Sequence, residues 1–202
     1  MTIGQIQSRI TYAPEQIPWA TGRFYGGVFS SAMTTAAGGM GSATINYEAF
    51  YVPNPKGINI VTIGVAVSGA CNAGSVARLG IYNTKYGSEE KPDLIPDTLI
   101  IDGGTVGLDS TGYRSVTINQ FLEQGWYYSC CAKNPTSGSG HYWSGLQRAT
   151  IVGDPTLNSS PSGGAMASQV GATTTYTTNT LLPYGLTSFV PSATMLRIIL
   201  GT

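Results

Sequence analysis

The sequence predicts an all-β protein, a sandwich or barrel of about eight to ten short strands. Glycine (27 residues) and tyrosine (12 residues) are frequent, a composition that suits pleated strands joined by tight turns. Runs of leucine, glutamate and lysine, which favour helices, are nearly absent. Strand-sized apolar segments recur between turn signals. At 202 residues, the chain is long enough to bury a substantial core.

The chain begins with a polar, aperiodic stretch at residues 1–22, which we interpret as an irregular amino-terminal arm or attachment segment. The sandwich domain then covers residues 23–202. Strands are predicted at residues 23–31, 43–52, 58–69, 75–83, 98–109, 113–119 and 125–132. The segments between them carry turn signals: Pro-Asn-Pro-Lys-Gly at 53–57, a polar loop at 84–97 and Ser-Thr-Gly at 110–112.

Alternation within the strands predicts which side chains share a face. In residues 58–69, the even-numbered residues from Ile58 to Ala66 share one face and the odd-numbered residues from Asn59 to Val67 the other. Both faces are largely apolar, so this segment is predicted to be a central strand covered on each side. In residues 75–83, one face is predicted to carry Ala77, Leu79 and Ile81, and the other Val76, Arg78, Gly80 and Tyr82.

The last third of the chain has weaker strand signals. Residues 133–188 are rich in Ser, Thr, Gly and Pro and are predicted to form a long loop region. Such a region either decorates one end of the sandwich or extends along a neighbouring subunit. Residues 192–200, "SATMLRIIL", are predicted to be a closing strand that returns to the body of the domain.

The stretch "QGWYYSCCA" at residues 124–132 places two adjacent cysteines behind three aromatic rings. As a strand, it puts Trp126, Tyr128, Cys130 and Ala132 on one face and Tyr127, Ser129, Cys131 and Lys133 on the other. The adjacent thiols therefore diverge, which disfavours a disulfide or a shared metal ion between them. We expect Cys130 to behave as a small buried hydrophobe, without a disulfide to Cys71.

No pattern in the sequence predicts catalysis, a metal site or a cofactor. His141 is the single histidine and lies in a polar loop, and the three cysteines lack C-x-x-C spacing. Loop carboxylates such as Glu89, Glu90 and Asp97 are better explained as solvated turn residues than as a glycosidase pair. A structural calcium ion held by loop oxygens stays open, although no EF-hand spacing supports it.

Charge and hydropathy exclude several classes of partner. Ten acidic and ten basic residues give a formal net charge of zero, so no basic surface for nucleic acid or an anionic membrane is predicted. No segment approaches the roughly 20 apolar residues that a bilayer span needs, and the start of the sequence lacks the apolar run of a signal peptide. Because three cysteines do not make a disulfide framework, we expect synthesis in a cytoplasm, without membrane insertion.

Aromatic residues in polar loops are the candidates for recognition, because a ring there is harder to explain as core. Tyr82 and Tyr86 flank the loop after the fourth strand, and His141, Tyr142 and Trp143 lie in the loop after "GWYYSCCA". Such rings could stack on the apolar face of a sugar. The alternative, in which they seal the end of the sandwich or a subunit interface, stays open.

The middle of the chain resembles a module of structural proteins of tailed bacteriophages and related particles. The resemblance rests on "SVARLGIYN", "PDLIPDTLIIDGGTV", "DSTGYRSVTIN", "FLEQGWYYSCCA" and, late in the chain, "SATMLRIIL". It covers residues 43–132 and, more weakly, the last strand. It implies an antiparallel jelly-roll-like sandwich in a tail fibre, spike or head fibre, frequently assembled as a homotrimer. It brings no catalytic motif and no binding residues.

Together these observations predict a non-enzymatic subunit of a virion or virion-like particle, made in a bacterial cytoplasm. Its arm would attach to other virion proteins, and its sandwich would bind host surface polysaccharide through many weak contacts multiplied by the copies in an oligomer. Two alternatives stay open: a purely structural decoration or connector protein and, third, a depolymerase that degrades glycan.

Overall fold

The computed structural model describes residues 18–26, 33–34, 44–88, 91–134, 141–142, 144–146, 167–170, 190–191, 194–196 and 198–202. Within these ranges every regular element is a β-strand, which confirms the predicted all-β class. The strands are β1 Phe24–Gly26, β2 Met33–Thr34, β3 Thr44–Val52, β4 Ile58–Gly69, β5 Val76–Ser88, β6 Lys91–Gly107, β7 Gly112–Leu122, β8 Gly125–Asn134, β9 His141–Tyr142, β10 Ser144–Leu146, β11 Ala167–Val170, β12 Val190–Pro191, β13 Thr194–Leu196 and β14 Ile198–Gly201.

Two antiparallel sheets form the body of the molecule. One has the order β1-β14-β4-β7, with β9 also paired to β4, and the other has the order β12-β11-β3-β8-β5-β6. When β1, β3 to β8 and β14 are lettered B to I in chain order, the two sheets become B-I-D-G and C-H-E-F. This is the strand order of a jelly roll, which confirms the predicted sandwich. A small third sheet has the order β13-β10-β2.

The main hydrophobic core lies between these two sheets and takes residues from both. From β5 it includes Ala77, Leu79 and Ile81, all fully buried, as the alternation predicted. Its other buried members include Phe50, Val52, Ile60, Ile63, Val65, Val67, Leu108, Leu122, Cys131, Ile198 and Leu200. Each fully buried aliphatic side chain contributes about 1.5–3 kcal/mol to folding. This core fixes the positions of the turns at both ends of the sandwich.

Strand β4 differs from its predicted alternation. Ile58 and Ile60 are buried in the main core, but so is Ile63, so the buried set changes from even to odd numbers. The change coincides with a shift of the register against β7 between Ile60 and Thr62. On β7 next to this shift, Asn119 adopts a φ of 50°. The bulge gathers the apolar residues of β4 onto one face, and the prediction of fixed alternation along this strand is wrong.

Residues 84–88 and 91–97, predicted as part of a polar loop, instead extend β5 and β6 as a hairpin arm. Backbone pairing continues from Thr84 with Pro96 to Ser88 with Lys91. Because β6 has 17 residues against 13 in β5, the extra residues are accommodated where the register shifts along the pair. β6 is the edge strand of its sheet, where a proline removes no ladder hydrogen bond. The edge position and the register shifts therefore explain how a polar, proline-containing segment forms part of a strand pair.

The predicted closing strand, residues 192–200, divides between two sheets. β13 pairs with β10 in the small sheet, whereas β14 inserts between β1 and β4. Glu48 of β3, only 4% exposed, contacts the start of β14: its Oε2 accepts the backbone N–H of Ile198 at 3.1 Å. A buried carboxylate thus connects the closing strand to the opposite sheet.

Connections at the two ends of the sandwich differ in length. At one end, which we call the tight-turn pole, the turns 53–57 and 123–124 join β3 to β4 and β7 to β8. At the other end, the long-connection pole, lie the ends of the strands that bound residues 27–43 and 135–197. Described parts of these two connections pair with each other through β2 and β10, and β9 pairs with the end of β4.

The described end of the amino-terminal segment, residues 18–22, docks at the tight-turn pole. The backbone N–H of Trp19 donates to Asn54 Oδ1 at 2.9 Å, and Asn54 Nδ2 donates to the Trp19 carbonyl at 2.8 Å. The backbone N–H of Gly22 donates to the Thr202 carbonyl at 2.6 Å. The segment is therefore bonded both to the first tight turn and to the last residue. Residues 1–17 of the predicted arm lie outside the described residues.

Four aromatic rings form a column beside this segment. Trp19 stacks on Tyr25 with a centroid distance of 4.5 Å and on Phe50 at 6.1 Å. Phe50 in turn stacks on Tyr127 at 5.7 Å, and the Tyr127 hydroxyl donates to the Glu123 carbonyl at 3.1 Å. The column continues the main core to the tight-turn pole and holds the turn at 123–124 in place.

Replacing Gly57 by alanine should destabilise the protein more than the same change at Gly22. Both glycines have positive φ, 71° and 79°, where an L-residue costs about 1–2 kcal/mol. Nothing lies within 4 Å of a Cβ added at Gly22, whereas at Gly57 it would be 2.4 Å from Phe121 Cζ and 2.5 Å from the Leu122 carbonyl oxygen. We expect Gly57→Ala to lose about 1–3 kcal/mol more than Gly22→Ala in urea unfolding. Equal losses would contradict this reading of the turn.

Removal of the Glu48 acceptor should destabilise the sandwich. We expect Glu48→Ala to lower the free energy of unfolding by about 1.5–3 kcal/mol, because the buried Ile198 N–H loses a charged acceptor. Glu48→Gln keeps a side-chain oxygen at this position and should lose clearly less. Urea unfolding followed by tryptophan fluorescence measures both. If the two variants lose the same free energy, the acceptor contact is not what stabilises β14.

Candidate functional site

Strand β8 places its two adjacent cysteines on opposite faces, as the alternation predicted. Cys131 belongs to the main core between the sheets, and Cys130 lies on the far face of its own sheet. Both are buried and, like Cys71, they are free thiols. The expectation that Cys130 is a buried small hydrophobe without a disulfide to Cys71 is confirmed. This strand is scaffold, and recognition has to be sought elsewhere.

A second apolar cluster, which we call the tyrosine cluster, lies on the far face of the sheet that contains β3, β8, β5 and β6. Its buried members are Ile45, Tyr47, Ala49, Tyr82, Tyr128, Cys130 and Ala132. The Tyr47 ring meets Tyr82 and Tyr128 edge to face, at centroid distances of 5.4 and 6.4 Å. Tyr82 is 0% exposed, which corrects its prediction as a sugar-facing ring. Alternation correctly predicted which face of the sheet carries Tyr82, but this part of that face is buried and does not face solvent.

An ion pair lies near the tyrosine cluster and affects its titratable groups. Arg78 Nε is 2.9 Å from Asp102 Oδ2. Burial raises the pKa of the Cys130 thiol well above its ordinary value, and Cys131 and Asp102 raise it further. Burial also raises the pKa of Tyr82, with additional contributions from Cys130 and Tyr47. Both groups are therefore neutral near pH 7, where a neutral buried thiol is a poor nucleophile.

Tyr86, the second predicted sugar-binding tyrosine, lies on the β5–β6 hairpin arm. Its backbone pairs with Leu94 across the hairpin, beyond the Tyr82–Leu99 pair. The side chain of Tyr86 lies outside the described part of the structure. Because Tyr82 is buried in the tyrosine cluster, the two tyrosines do not form one exposed platform.

His141 and Tyr142 lie in the other sheet, at the long-connection pole. They form β9, which pairs with the end of β4: His141 opposite Gly69, and Tyr142 opposite Val67. The side chains of both residues, and the whole of Trp143, lie outside the described residues. The register nevertheless places this predicted recognition segment next to a rigid central strand, far from the Tyr86 hairpin arm.

Three large apolar side chains are exposed among the described residues, and the sequence analysis proposed none of them: Phe24, Tyr113 and Phe121. A signal for two of them was present in β7. Its outward-facing residues between Tyr113 and Phe121 are polar: Ser115, Thr117 and Asn119. This alternation marks the face as solvent-facing, so the aromatic residues at its two ends could have been recognised as exposed.

Phe24 and Tyr113 form a pair on the outer face of the β1-β14-β4-β7 sheet. Their rings meet edge to face with centroids 5.5 Å apart. Each ring lies against a glycine on a neighbouring strand: a Cβ added at Gly64 would be 2.5 Å from the Tyr113 ring, and one at Gly201 would be 2.9 Å from Phe24. The glycines therefore allow both rings to lie close to the sheet, and Phe24 stays 64% exposed.

Phe121 lies in a surface hollow of about 260 Å³ at the tight-turn pole. The hollow is lined by Pro55, Lys56, Gly57, Phe121, Glu123 and Gln124. An exposed ring is thus surrounded by an ammonium, a carboxylate and a carboxamide. This combination offers a stacking surface together with hydrogen-bond donors and acceptors.

Asp97, one of the loop carboxylates considered for catalysis, takes part in an ion pair, as does Asp102. Asp97 Oδ1 lies 2.8 Å from Lys85 Nζ, and Asp102 is paired with Arg78. Glu89 and Glu90 lie outside the described residues. Within the described ranges, no group of three His, Cys, Asp or Glu side chains is placed to hold a metal ion. Those ranges also include no helix long and apolar enough to cross a membrane.

Comparison with known proteins gives no relative. No family model matches the chain, and neither a curated protein nor a solved structure matches it. The function is therefore argued from the site geometry and the sequence alone.

Stability should decrease as the pH rises above about 9. In the unfolded chain, Cys130 and Tyr82 ionise near pH 8.5 and 10. In the folded chain burial raises both pKa values, so these groups stay protonated there. The folded state then binds more protons, and each group lowers the free energy of unfolding by about 1.4 kcal/mol per pH unit above its unfolded pKa.

Urea unfolding at several values between pH 7 and pH 11 measures this decrease. Cys130→Ala should flatten the slope between pH 9 and pH 10, where the thiol contributes more than Tyr82 does, whatever its effect on stability at pH 7. A thiolate absorbance that appears near pH 8.5 in the folded unchanged protein and is absent from folded Cys130→Ala would contradict the raised pKa of Cys130.

Proposed function

We propose that this protein is a subunit of a phage or phage-like virion that binds a host surface glycan without covalent chemistry. The observation that carries the proposal is the division between its two poles. The amino-terminal segment docks at the tight-turn pole, where Trp19 and Asn54 exchange two hydrogen bonds. The strands bounding both long connections end at the opposite pole, next to β9. Such a body suits attachment at one end and display at the other.

The glycan part of the proposal is supported by the aromatic residues of the long-connection pole. His141 and Tyr142 pair with the end of β4, a strand buried in the main core, so their backbone is attached to a rigid element. An aromatic ring stacks on the apolar face of a sugar, and nearby hydroxyl and amide groups orient it. Each contact of this kind is weak, and assembly of copies, such as the trimer implied by the resemblance, would multiply them.

The direct test is a glycan array and a host-cell binding assay with the recombinant protein. We expect binding to at least one bacterial surface polysaccharide, and a loss of tenfold or more, about 1.4 kcal/mol, in Tyr142→Ala and Trp143→Ala. Tyr113→Ala is the matched control, because Tyr113 is an exposed aromatic residue on the outer sheet face. It should bind like the unchanged protein.

The runner-up is a purely structural decoration or connector protein. One observation favours it: the outer face around Phe24 and Tyr113 carries no charged side chain at Thr62, Ser115, Thr117 or Ile199. Interface centres are depleted of charge and rich in aromatic residues. Binding to virion proteins together with the absence of binding to any polysaccharide or host cell would favour this role. Release of reducing ends from polysaccharide would favour a depolymerase.

A further inference from the structure

The Phe121 hollow lies at the opposite pole from His141 and Tyr142 and is separate from the glycan-binding segment proposed above. Its floor lies where two paired strands meet their turns: Phe121 is the next-to-last residue of β7, and Gly57 directly precedes β4. The distal edge of the Phe121 ring lies against Gly57, so close that an added Cβ would be 2.4 Å from Cζ. Because Gly57 has no Cβ, the Phe121 ring can pack across the turn. The ring is still 53% exposed.

The rim of the hollow is polar and partly pre-organised. Gln124 Nε2 donates to the Pro53 carbonyl at 3.2 Å, which holds the carboxamide between the two turns. The backbone carbonyl of Glu123 accepts the Tyr127 hydroxyl, so the second turn is attached to the aromatic column. Within the described residues, neither Lys56 nor Glu123 takes part in an ion pair. Their charged groups are therefore open to a ligand.

We propose that this hollow is a second carbohydrate-binding site, which takes one pyranose ring with its apolar face on Phe121 and its hydroxyls on Lys56, Glu123 and Gln124. The inference rests on the proposed function for its ligand class, and it requires that attachment through the amino-terminal segment leaves the hollow at the same pole uncovered. The hollow, at about 260 Å³, is below the range of pockets that hold drug-sized ligands, roughly 300–1,000 Å³, so it suits a single ring.

The composition of the lining favours a sugar over a peptide side chain. Pro55 and Phe121 are its only large apolar members, and they do not enclose a deep apolar pocket in which a side chain could be buried. The three polar side chains supply a donor, an acceptor and a group that is both, which matches the hydroxyls of a sugar. A peptide bound in the hollow is the competing outcome of the test.

Two sites at opposite poles cannot be bridged by a short oligosaccharide. Gly57 lies just before β4 and His141 pairs with Gly69 at its end. A strand of 12 residues spans about 40 Å at roughly 3.3 Å per residue. The two sites would therefore engage different glycan segments, and their contributions can be separated by mutation.

The test is an NMR titration of the full chain with a panel of single sugars: glucose, galactose, mannose, rhamnose, N-acetylglucosamine and N-acetylgalactosamine. We expect at least one sugar to shift the backbone amides of Gly57, Glu123 and Gln124. Phe121→Ala should weaken that sugar at least tenfold, and Phe121→Trp should retain it. Phe24→Ala is the matched control, because it removes an exposed phenylalanine from another face. Gln124→Ala is a second variant at an exposed rim position. Because it removes one of the proposed hydroxyl-binding side chains, it should also weaken that sugar.

The outcomes separate this inference from the proposed function. If a sugar binds only near His141 and leaves the amides of the hollow unchanged, the second site is wrong while the glycan-binding proposal stands. If no sugar or polysaccharide binds anywhere, both fail. If Phe121→Ala and Phe24→Ala weaken binding equally, or if the hollow responds to short peptides and to no sugar, the assignment of Phe121 as a sugar platform is overturned.

Discussion

The insertion of the last strand between the first and the third of the eight jelly-roll strands is the constraint on which the rest of this structure depends. β14 is hydrogen-bonded to β1 on one side and to β4 on the other, so the β1-β14-β4-β7 sheet is complete only when residues 198–201 are in place. Thr202 Oγ1 donates to the Ala20 carbonyl at 2.7 Å, and its backbone N–H donates to Arg23. The Thr202–Ala20 bond joins residues 182 positions apart, so its formation carries the entropy cost of closing a long loop.

Both described terminal segments, residues 18–26 and 198–202, are bonded to the body of the domain. Ile198 meets the buried Glu48 carboxylate from the opposite sheet, and Trp19 is bonded to Asn54 at the first tight turn. Each contact connects a terminal segment to a turn or strand that forms from local sequence. The tight-turn pole thereby becomes rigid, with the aromatic column from Tyr25 to Tyr127 filling it. A rigid pole is what both an attachment point and a pre-organised hollow require.

The sequence determined much of the fold, because strong turn signals such as 53–57 mark where β3 ends and β4 begins. Alternation also placed Cys130 and Cys131 on the correct opposite faces. Prediction from the sequence failed where the burial of a side chain or the extent of a strand depends on tertiary structure. A bulge changed the alternation of β4, and an edge position allowed Pro96 in a strand that composition predicted as a loop. Neither feature is visible without the neighbouring strand.

The candidate site could be predicted less well, for a related reason. Alternation assigns Tyr82 and Phe121 to a face, but it does not say whether another layer covers that face. The tyrosine cluster buries Tyr82, whereas Phe121 emerges at a pole where two turns distant in sequence meet. The turn that holds Gly57 and the turn that holds Gln124 come together only because β4 pairs with β7 and β3 with β8.

A hollow built in this way is rigid, and rigidity is what a single-ring site needs. A small ligand gains little contact, so affinity is lost if side chains must first be ordered. Here the Phe121 ring is seated on Gly57, and Gln124 is already bonded to Pro53. Because these side chains are already ordered in the folded protein, binding carries little further entropy cost. The low affinity of a one-ring contact is compensated by the number of copies in an oligomer. In a virion subunit present in several copies, sites of modest affinity become a strong attachment when they act together.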